Sequence, residues 1–499
     1  MEEKSSKLGL QLAYGYLLLP FLIFVIGWVK VYLAIPIVLI VFFCFLKACK
    51  DTSKVWVPKI TKENLGVLLF IIGICALWVY FSGIGKFVFQ NADHTVRNTI
   101  FNLLVERDWP IINYEILKSE LPKTSATGLV YYIGFWLPSA IIGKMFGLRI
   151  GYYSQALWAL FGILLIYYFI CSISKKIEVW PLIILIFFSG LDILGHYLIG
   201  TDMSDIGRTL HLEWWDTPYQ FSGMTTQLFW VFNQAVPAWL CTILIYVQKN
   251  NRTIVFILAC SMLSSTFPFI GLLLIAAFFA CTRNYQLTGQ EDHKVNRCKQ
   301  HMQLFLRDTF TLQNVVGGGI IGIVSYLYLS SNIAGDQVME TSSRGIMWEP
   351  SLVKWILFFV IEVGIYMMLI YKYEKKNLLF YFIVLNLVVL SLIKVGTSND
   401  FCMRASIPAL FILMLMVIDA VRQSWGLKDY KTFIALMIAL SIGGVTSLHE
   451  FTRTTTETIT RINNNQIVYA EDADEVEVLN SSNFVGNVHD NFFFEYLAK

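Results

Sequence analysis

Ionisable side chains are scarce in this chain, so those that cluster carry information. The stretch NADHTVRNTIFNLLVERD at 91–108 follows an apolar run at 64–82 and brings Asp93, His94 and Arg97 together at the mouth of a membrane helix. A carboxylate beside apolar surface can take a proton from an acceptor hydroxyl, while an imidazole and a guanidinium can hold a phosphate. Plainer roles fit the same residues. Asp93 stands where a helix N-cap would, and Arg97 lies four residues on, at the spacing of a helical ion pair.

A second cluster, LDILGHYLIGTDMSDIGRTLHLEWWD, holds Asp192, His196, Asp202, Asp205, His211, Glu213 and Asp216. Asp192 and His196 share a helical face near the end of a membrane helix, where ionisable groups are costly and usually face a cavity. A metal site from His196, Asp202 and Asp205 is left open, since their spacing is not specific. Trp214 and Trp215 can stack on a sugar ring or simply anchor the interface.

The third group is Lys394, Asn399, Asp400 and Arg404 in IKVGTSNDFCMRASIP. The planar fork of Arg404 matches phosphate or pyrophosphate oxygens and keeps its charge; pairing with Asp400, or snorkelling in the case of Lys394, is the alternative. Gln227, Asn233 and Gln234, followed by Pro237, predict a kinked helix with a polar stripe facing the interior. Glu362 stands alone inside an apolar run, a functional candidate with no evident partner. Gly317, Gly318 and Gly319 lack the Lys and spacing of a phosphate loop and read as close helix packing.

The elements that must position these groups are membrane helices. Hydrophobic residues make up 56% of the 499 and charged ones only 15%, with a mean hydropathy of +0.60, far more apolar than a soluble domain. A net charge of +3 does not suggest a nucleic-acid partner, and the nine cysteines lie mostly within apolar runs as small core residues. The first apolar run lacks a small-residue cleavage site, so the first helix is expected to be retained.

Runs at 11–29 and 31–47 form a hairpin turned at Lys30, and the loop after it carries Lys47, Lys50, Lys54, Lys59 and Lys62. These lysines place that loop, and the N-terminus, in the cytoplasm. The helix 64–83 then runs outward, and Asp93 falls outside. Residues 128–150 are ambiguous: if they span the bilayer, the positive-inside bias collapses. If they return to the same face, Lys175, Lys176, Lys249, Arg252, the segment 283–307, Lys372, Arg422 and Lys428 all lie inside. The second reading is taken. Later runs at 151–172, 180–200, 227–247, a short pair at 253–267 and 269–282, then 312–331, 353–372, 378–394, 406–421 and 432–447 bring the total to about thirteen spans, with the C-terminus outside.

An all-α polytopic membrane protein is thus expected, divided into a hairpin and cytoplasmic loop (1–63), a transmembrane domain (64–448) with a catalytic outer loop at 84–150 containing juxtamembrane helices, and an extracytoplasmic tail (449–499). The tail has an acidic run at 471–477 but ends in NFFFEYLAK, whose Phe492, Phe493, Phe494 and Tyr496 are costly to leave in water. It is expected to dock near the outer loops.

A membrane helix followed directly by NADHTVRN, an amphipathic juxtamembrane segment and the element LVYYIGFWLPSAIIGKMFG together resemble the C-type glycosyltransferase superfamily (GT-C) at the level of topology, over residues 64 to about 450. The resemblance implies an integral membrane enzyme that moves a sugar from a polyprenyl-phosphate donor to a glycan or lipid acceptor on the extracytoplasmic face of a bacterial cell membrane. It implies a base at Asp93 only; His94, Arg97, Asp192, His196, Lys394 and Arg404 are candidate substrate-binding groups on their own chemistry, and a divalent metal, Mg or Mn, is an open question. Two features depart from the superfamily. Asp93 lacks a second acidic neighbour, and an extra hairpin precedes the loop. A transporter or flippase of lipid-linked glycans, or a polymerase of them, is the alternative.

Overall fold

The computed structural model describes residues 5–113, 126–201, 211–287, 294–334, 344–346, 352–395, 400–489 and 491–499. Among them, ten helices are long and apolar enough to cross a bilayer, or eleven if the bent pair Gln300–Thr309 and Gln313–Leu329 forms one span. Only helices can satisfy their own backbone in hydrocarbon on this scale, so the chain is an all-α, multi-pass integral membrane protein.

In chain order, α1 (Leu8–Trp28) and α2 (Val31–Asp51) form the N-terminal hairpin, and α3 (Lys62–Phe81) follows. Two short helices, α4 (Asp93–Glu106) and α5 (Leu137–Phe146), precede α6 (Leu148–Ser174). Next come α7 (Trp180–Phe187) and α8 (Asp192–Ile199), two halves of one broken helix, then α9 (Met224–Val247), α10 (Ile254–Ser261) and α11 (Thr266–Leu287). The chain continues as α12 (Lys294–Thr309), α13 (Gly318–Leu329), α14 (Leu352–Glu374), α15 (Leu378–Leu392), α16 (Asp400–Ala405), α17 (Ile407–Gly426), α18 (Tyr430–Asn463) and α19 (Glu475–Asn480). Three small antiparallel ribbons join β1 (Ser5–Ser6) to β2 (Val55–Trp56), β3 (Thr127–Leu129) to β6 (Val485–Asn487), and β4 (Arg344–Ile346) to β5 (Ile393–Val395).

The most enclosed helix is α9, which packs against α6, α10, α11, α17 and α18. Of the pair around Pro268, each arm of which is expected to hold about half a span, α10 has 8 residues but α11 has 22 and is long enough to cross; α15, expected to span, has only 15. The pair is a hairpin with one short arm. Arg283 of α11 donates to Asn250 O at 3.0 Å, beside the start of α10, while Gly134 N donates to Leu263 O at 3.1 Å at the tip. The half-helix therefore enters from one end of the bundle and its tip reaches the segment that opens α5.

Contacts gather the basic loops at one end. Tyr168 donates to Trp56 O at 2.8 Å, Gln313 to Asp51 at 3.0 Å, Arg252 pairs with Asp308 at 3.3 Å and Arg422 with Glu178 at 2.7 Å. The segment 128–150 does not cross the bundle. Lys144 on α5 donates to Arg107 O at 2.6 Å, just past α4, and Gly147, at φ 94°, supplies the left-handed turn into α6.

The tail docks at the opposite end, with α4. The last long helix, α18, runs to Asn463, so the tail starts beyond the boundary drawn at 449. From there the acidic run crosses α4: Asp472 pairs with Lys86 at 2.7 Å and accepts from Asn102 at 2.9 Å, and Glu475 pairs with Arg107 at 2.9 Å. Beyond β6, Phe493 is buried against Phe24 and Tyr328, and Lys499 N donates to Trp28 O at 2.9 Å. Of the four terminal aromatics, Phe493 and Phe494 are buried and anchor the tail, whereas Phe492 and Tyr496 stay exposed.

Candidate functional site

The site is built on a break in α9. Val231, at φ −135° and ψ 34°, leaves helical geometry six residues before Pro237. Residues around the start of α4 bind the carbonyls beside this break. Asn91 Nδ2 donates to Phe229 O at 2.8 Å, His94 Nε2 to the same oxygen at 2.9 Å, and an Arg97 Nη1 to Trp230 O. The kink expected from the sequence is present, and it is what seats α4 in the bundle.

Asp93 occupies the first turn of α4 without capping it; Asn91 Oδ1 accepts the Asp93 N–H instead, at 3.1 Å. Its carboxylate pairs with Arg97 Nη2 at 2.7 Å, the Arg97 side chain being 5% exposed and that of Asp93 39%. Arg404 acts on the same carboxylate through space. Burial would raise the pKa of Asp93, but Arg97 and then Arg404 outweigh it and hold the group below its usual range.

Arg404, on α16, is buried. Its Nη1 donates to Tyr132 Oη at 2.8 Å and its Nη2 pairs with Asp400 at 3.1 Å, so the helical pairing and an interior role coexist. The Tyr132 hydroxyl bonds in turn to that of Tyr131, and burial raises the Tyr131 phenol well above its ordinary value although Arg97 and Arg404 both pull it down. The Nε atoms of Arg97 and Arg404 are both buried with no hydrogen-bond partner. Three segments far apart in sequence thus meet as two carboxylates, two guanidinium groups and a tyrosine pair.

His94 sits within this group but is fully committed. Gln90 Nε2 donates to its Nδ1 at 3.1 Å, which leaves Nε2–H for Phe229 O: a neutral ring held in one tautomer. Burial, with Arg97 close by, pushes its pKa down to about 4. The geometry makes His94 a bracket for α4 and leaves neither ring nitrogen for a phosphate.

Asp192 and His196 form a separate assembly. Asp192 accepts from Thr446 at 2.6 Å and Ser189 at 3.2 Å, whereas His196 Nε2 turns to Leu212 O at 3.0 Å. Asp192 lies against Glu362 and faces Glu213; Glu362 accepts from Trp215 Nε1 at 2.6 Å, and Glu213 accepts from Gln220, Ser222 and Gly223 N. All three carboxyl groups are buried, and among the described residues none has a cationic partner. The partner that Glu362 lacked in the sequence is therefore Asp192 together with Trp215. Lys394 is exposed on β5, opposite Gly345 of β4, as a snorkelling lysine would be. Asp202, Asp205 and Asn399 lie outside the described residues.

No protein-family model, curated protein or solved structure matches this chain.

Its chemistry therefore rests on what these side chains can do. The donor set around Asp93 does not suit a divalent metal: its two carboxylates, Asp93 and Asp400, are each already paired with a guanidinium. Among the described residues no group of three His, Cys, Asp or Glu side chains has a geometry that could hold a metal ion. Such a group is suited instead to an anion, most of all one bearing phosphate, next to a hydroxyl that Asp93 can orient. The tyrosine bridge between Arg404 and the 127–136 segment was not assigned from the sequence, although the paired tyrosines were visible there. The convergence of Asp192, Glu213 and Glu362 left no local signal, because three separate elements supply them.

Proposed function

We propose that this protein is a membrane glycosyltransferase that moves a sugar from a polyprenyl-phosphate donor to a glycan or lipid acceptor at the extracytoplasmic face. The observation that carries the reading is the meeting of Asp93, Arg97, Arg404 and the Tyr131–Tyr132 pair, at the end of the bundle away from the lysine-rich loops. In the proposed reaction the acceptor hydroxyl, oriented by Asp93, attacks the anomeric carbon. A new C–O bond forms as the bond from that carbon to the phosphate oxygen breaks, and the electron pair leaves with the lipid phosphate. Arg97 and Arg404 stabilise the departing charge. The proton passes to Asp93 as the hydroxyl oxygen is alkylated and its acidity rises, so a carboxylate that is a weak base in the resting site can still accept it.

The test is purified protein in lipid, supplied with polyprenyl-phosphate sugars and acceptors. Released lipid phosphate and a new glycosidic bond support the reading. Arg404→Lys, which keeps the charge but loses the fork to Tyr132 and Asp400, is expected to slow release about 100-fold. Asp93 and Arg404 variants that turn over like the parent would end it.

A second reading has one specific observation behind it. Buried carboxyl groups without cations, as in Asp192, Glu213 and Glu362, and a half-helix entering the bundle are features of coupled transporters of lipid-linked or other anionic substrates. Sealed vesicles separate the two: movement of labelled lipid-linked glycan without bond formation would favour transport.

A further inference from the structure

The end of the tail is clipped to the turn between α1 and α2. Lys30, in that turn, donates from its backbone N to Leu497 O at 2.8 Å and from Nζ to Glu495 O at 3.0 Å and Tyr496 O at 3.1 Å, while Lys499 Nζ donates to Ile26 O at 2.8 Å. The clip sorts its aromatic residues. Phe493 and Phe494 are buried, but Phe492 is 56% exposed and Tyr496 53%. The rings of this second pair lie 4.9 Å apart, so they form one aromatic patch on the outside of the clip. Such a patch is costly to leave in water.

The helices that carry the clip set its height. Both α1 and α2 have 21 residues, a rise of about 31 Å, which matches the hydrocarbon thickness of a bilayer. The two-residue turn between them therefore lies where hydrocarbon gives way to headgroups, and the clip lies there with it. What surrounds that turn is also defined. Tyr32, Ile35, Leu39, Phe43 and Leu46 are all exposed along α2, so the outer side of this peripheral helix is a surface that lipid covers. The Tyr496 carbonyl is bonded to Lys30, two residues before Tyr32, which makes the patch a continuation of the lipid-facing surface at its headgroup end. Aromatic rings are favoured at that level.

We propose that Phe492 and Tyr496 seat the end of the tail in the headgroup–acyl boundary of the leaflet on the α4 side, and that the partner of this surface is the bilayer itself. The tail is then held twice, by α1 through Lys30 and Phe493 and by lipid through the patch. This anchor does not depend on the glycosyltransferase reading.

The experiment uses the full chain in phosphatidylcholine liposomes, with Cys281 and Cys298 replaced by Ser and a nitroxide placed in turn at Phe492→Cys, Tyr496→Cys and, as a water-facing comparison in the same tail, the exposed Glu471→Cys. Collisions with oxygen relative to a nickel chelate, which enters lipid poorly, are expected to be at least about five-fold more frequent at 492 and 496 than at 471. Hydrogen exchange gives a second measure without a label. Phe492→Ser with Tyr496→Ser should speed amide exchange across 493–499 by about ten-fold, whereas Phe492→Trp with Tyr496→Trp should keep the parent rate. Equal collision ratios at all three sites would overturn the proposal, as would labels shielded from both reagents by another protein. Spin–spin broadening that disappears on dilution with unlabelled chain, which marks a second copy, or exchange unaffected by the serine pair would overturn it too.

Discussion

Asp93 carries its charge because two guanidinium groups outweigh its burial. Catalysis in the proposed reaction should therefore persist on acidification until below the ordinary carboxylate range, whereas Asp93→Asn, which keeps the shape and a hydrogen bond to Arg97, should lower turnover by about 100-fold or more with little change in thermal stability. Rates measured with a polyprenyl-phosphate sugar across pH, beside melting curves, check both statements. Stability itself should respond to pH through His94. Its pKa lies at about 4 in the fold against 6.5 for an unperturbed ring, so the unfolded chain binds the extra proton first. The contribution is complete above pH 6.5 and lost as pH falls towards 4; His94→Gln should flatten that limb of the unfolding profile. Asp93, Arg97 and Arg404 were legible because charges in a greasy chain are few and expensive. The service of His94 to a backbone carbonyl was not, since the carbonyl it serves lies beside a break in α9 and belongs to a residue 135 positions away in the chain.

Among the elements, α4 is held by the kinked α9 on one side and by the tail on the other. Thr99 donates to Ala473 O at 3.0 Å, and Ala470 N donates to Gln90 at 3.2 Å. Phe493→Ala should destabilise the protein by about 3 kcal/mol or more, since it empties a buried aromatic site against Phe24 and Tyr328. Removing 491–499 should cost at least as much. Thermal unfolding in a fixed lipid or detergent reads both, and an unchanged midpoint would contradict the docking. Most helices could be drawn from hydropathy because a bilayer demands a run of fixed length. The exceptions include α15, whose apolar run promised more than it spans, and α11, which is a full span where half of one was expected. The end of α18 was also hidden, because its polar extension to Asn463 is helical by packing and not by greasiness.

For the whole molecule, the arrangement of basic loops at one end and of α4, α5 and the tail at the other makes a prediction about sidedness. In a background with Cys281 and Cys298 replaced by Ser, Glu106→Cys should react with an impermeant maleimide in intact cells, and Lys176→Cys only after permeabilisation. The reverse pattern would remove the extracytoplasmic chemistry proposed for Asp93. The expectation that 128–150 turns back came from charge parity, since one assumption put every basic loop on one side, and from Pro138, Gly143 and Gly147, which suit a broken element. The meeting of α16 with the 127–136 segment, which brings Arg404 to Tyr132, depends on contacts between spans that hydropathy does not order.

The N-terminal hairpin looks like an addition to the resembled core, yet α1 receives the end of the tail: Lys499 lies on Trp28 and Ile26, and Phe493 stacks near Phe24. A shortened chain that began at Lys62 would leave those phenyl rings without a seat and would loosen the strap that crosses α4. Pruning the front of this protein should thus be felt at the far end of its sequence, and through it at Asp93.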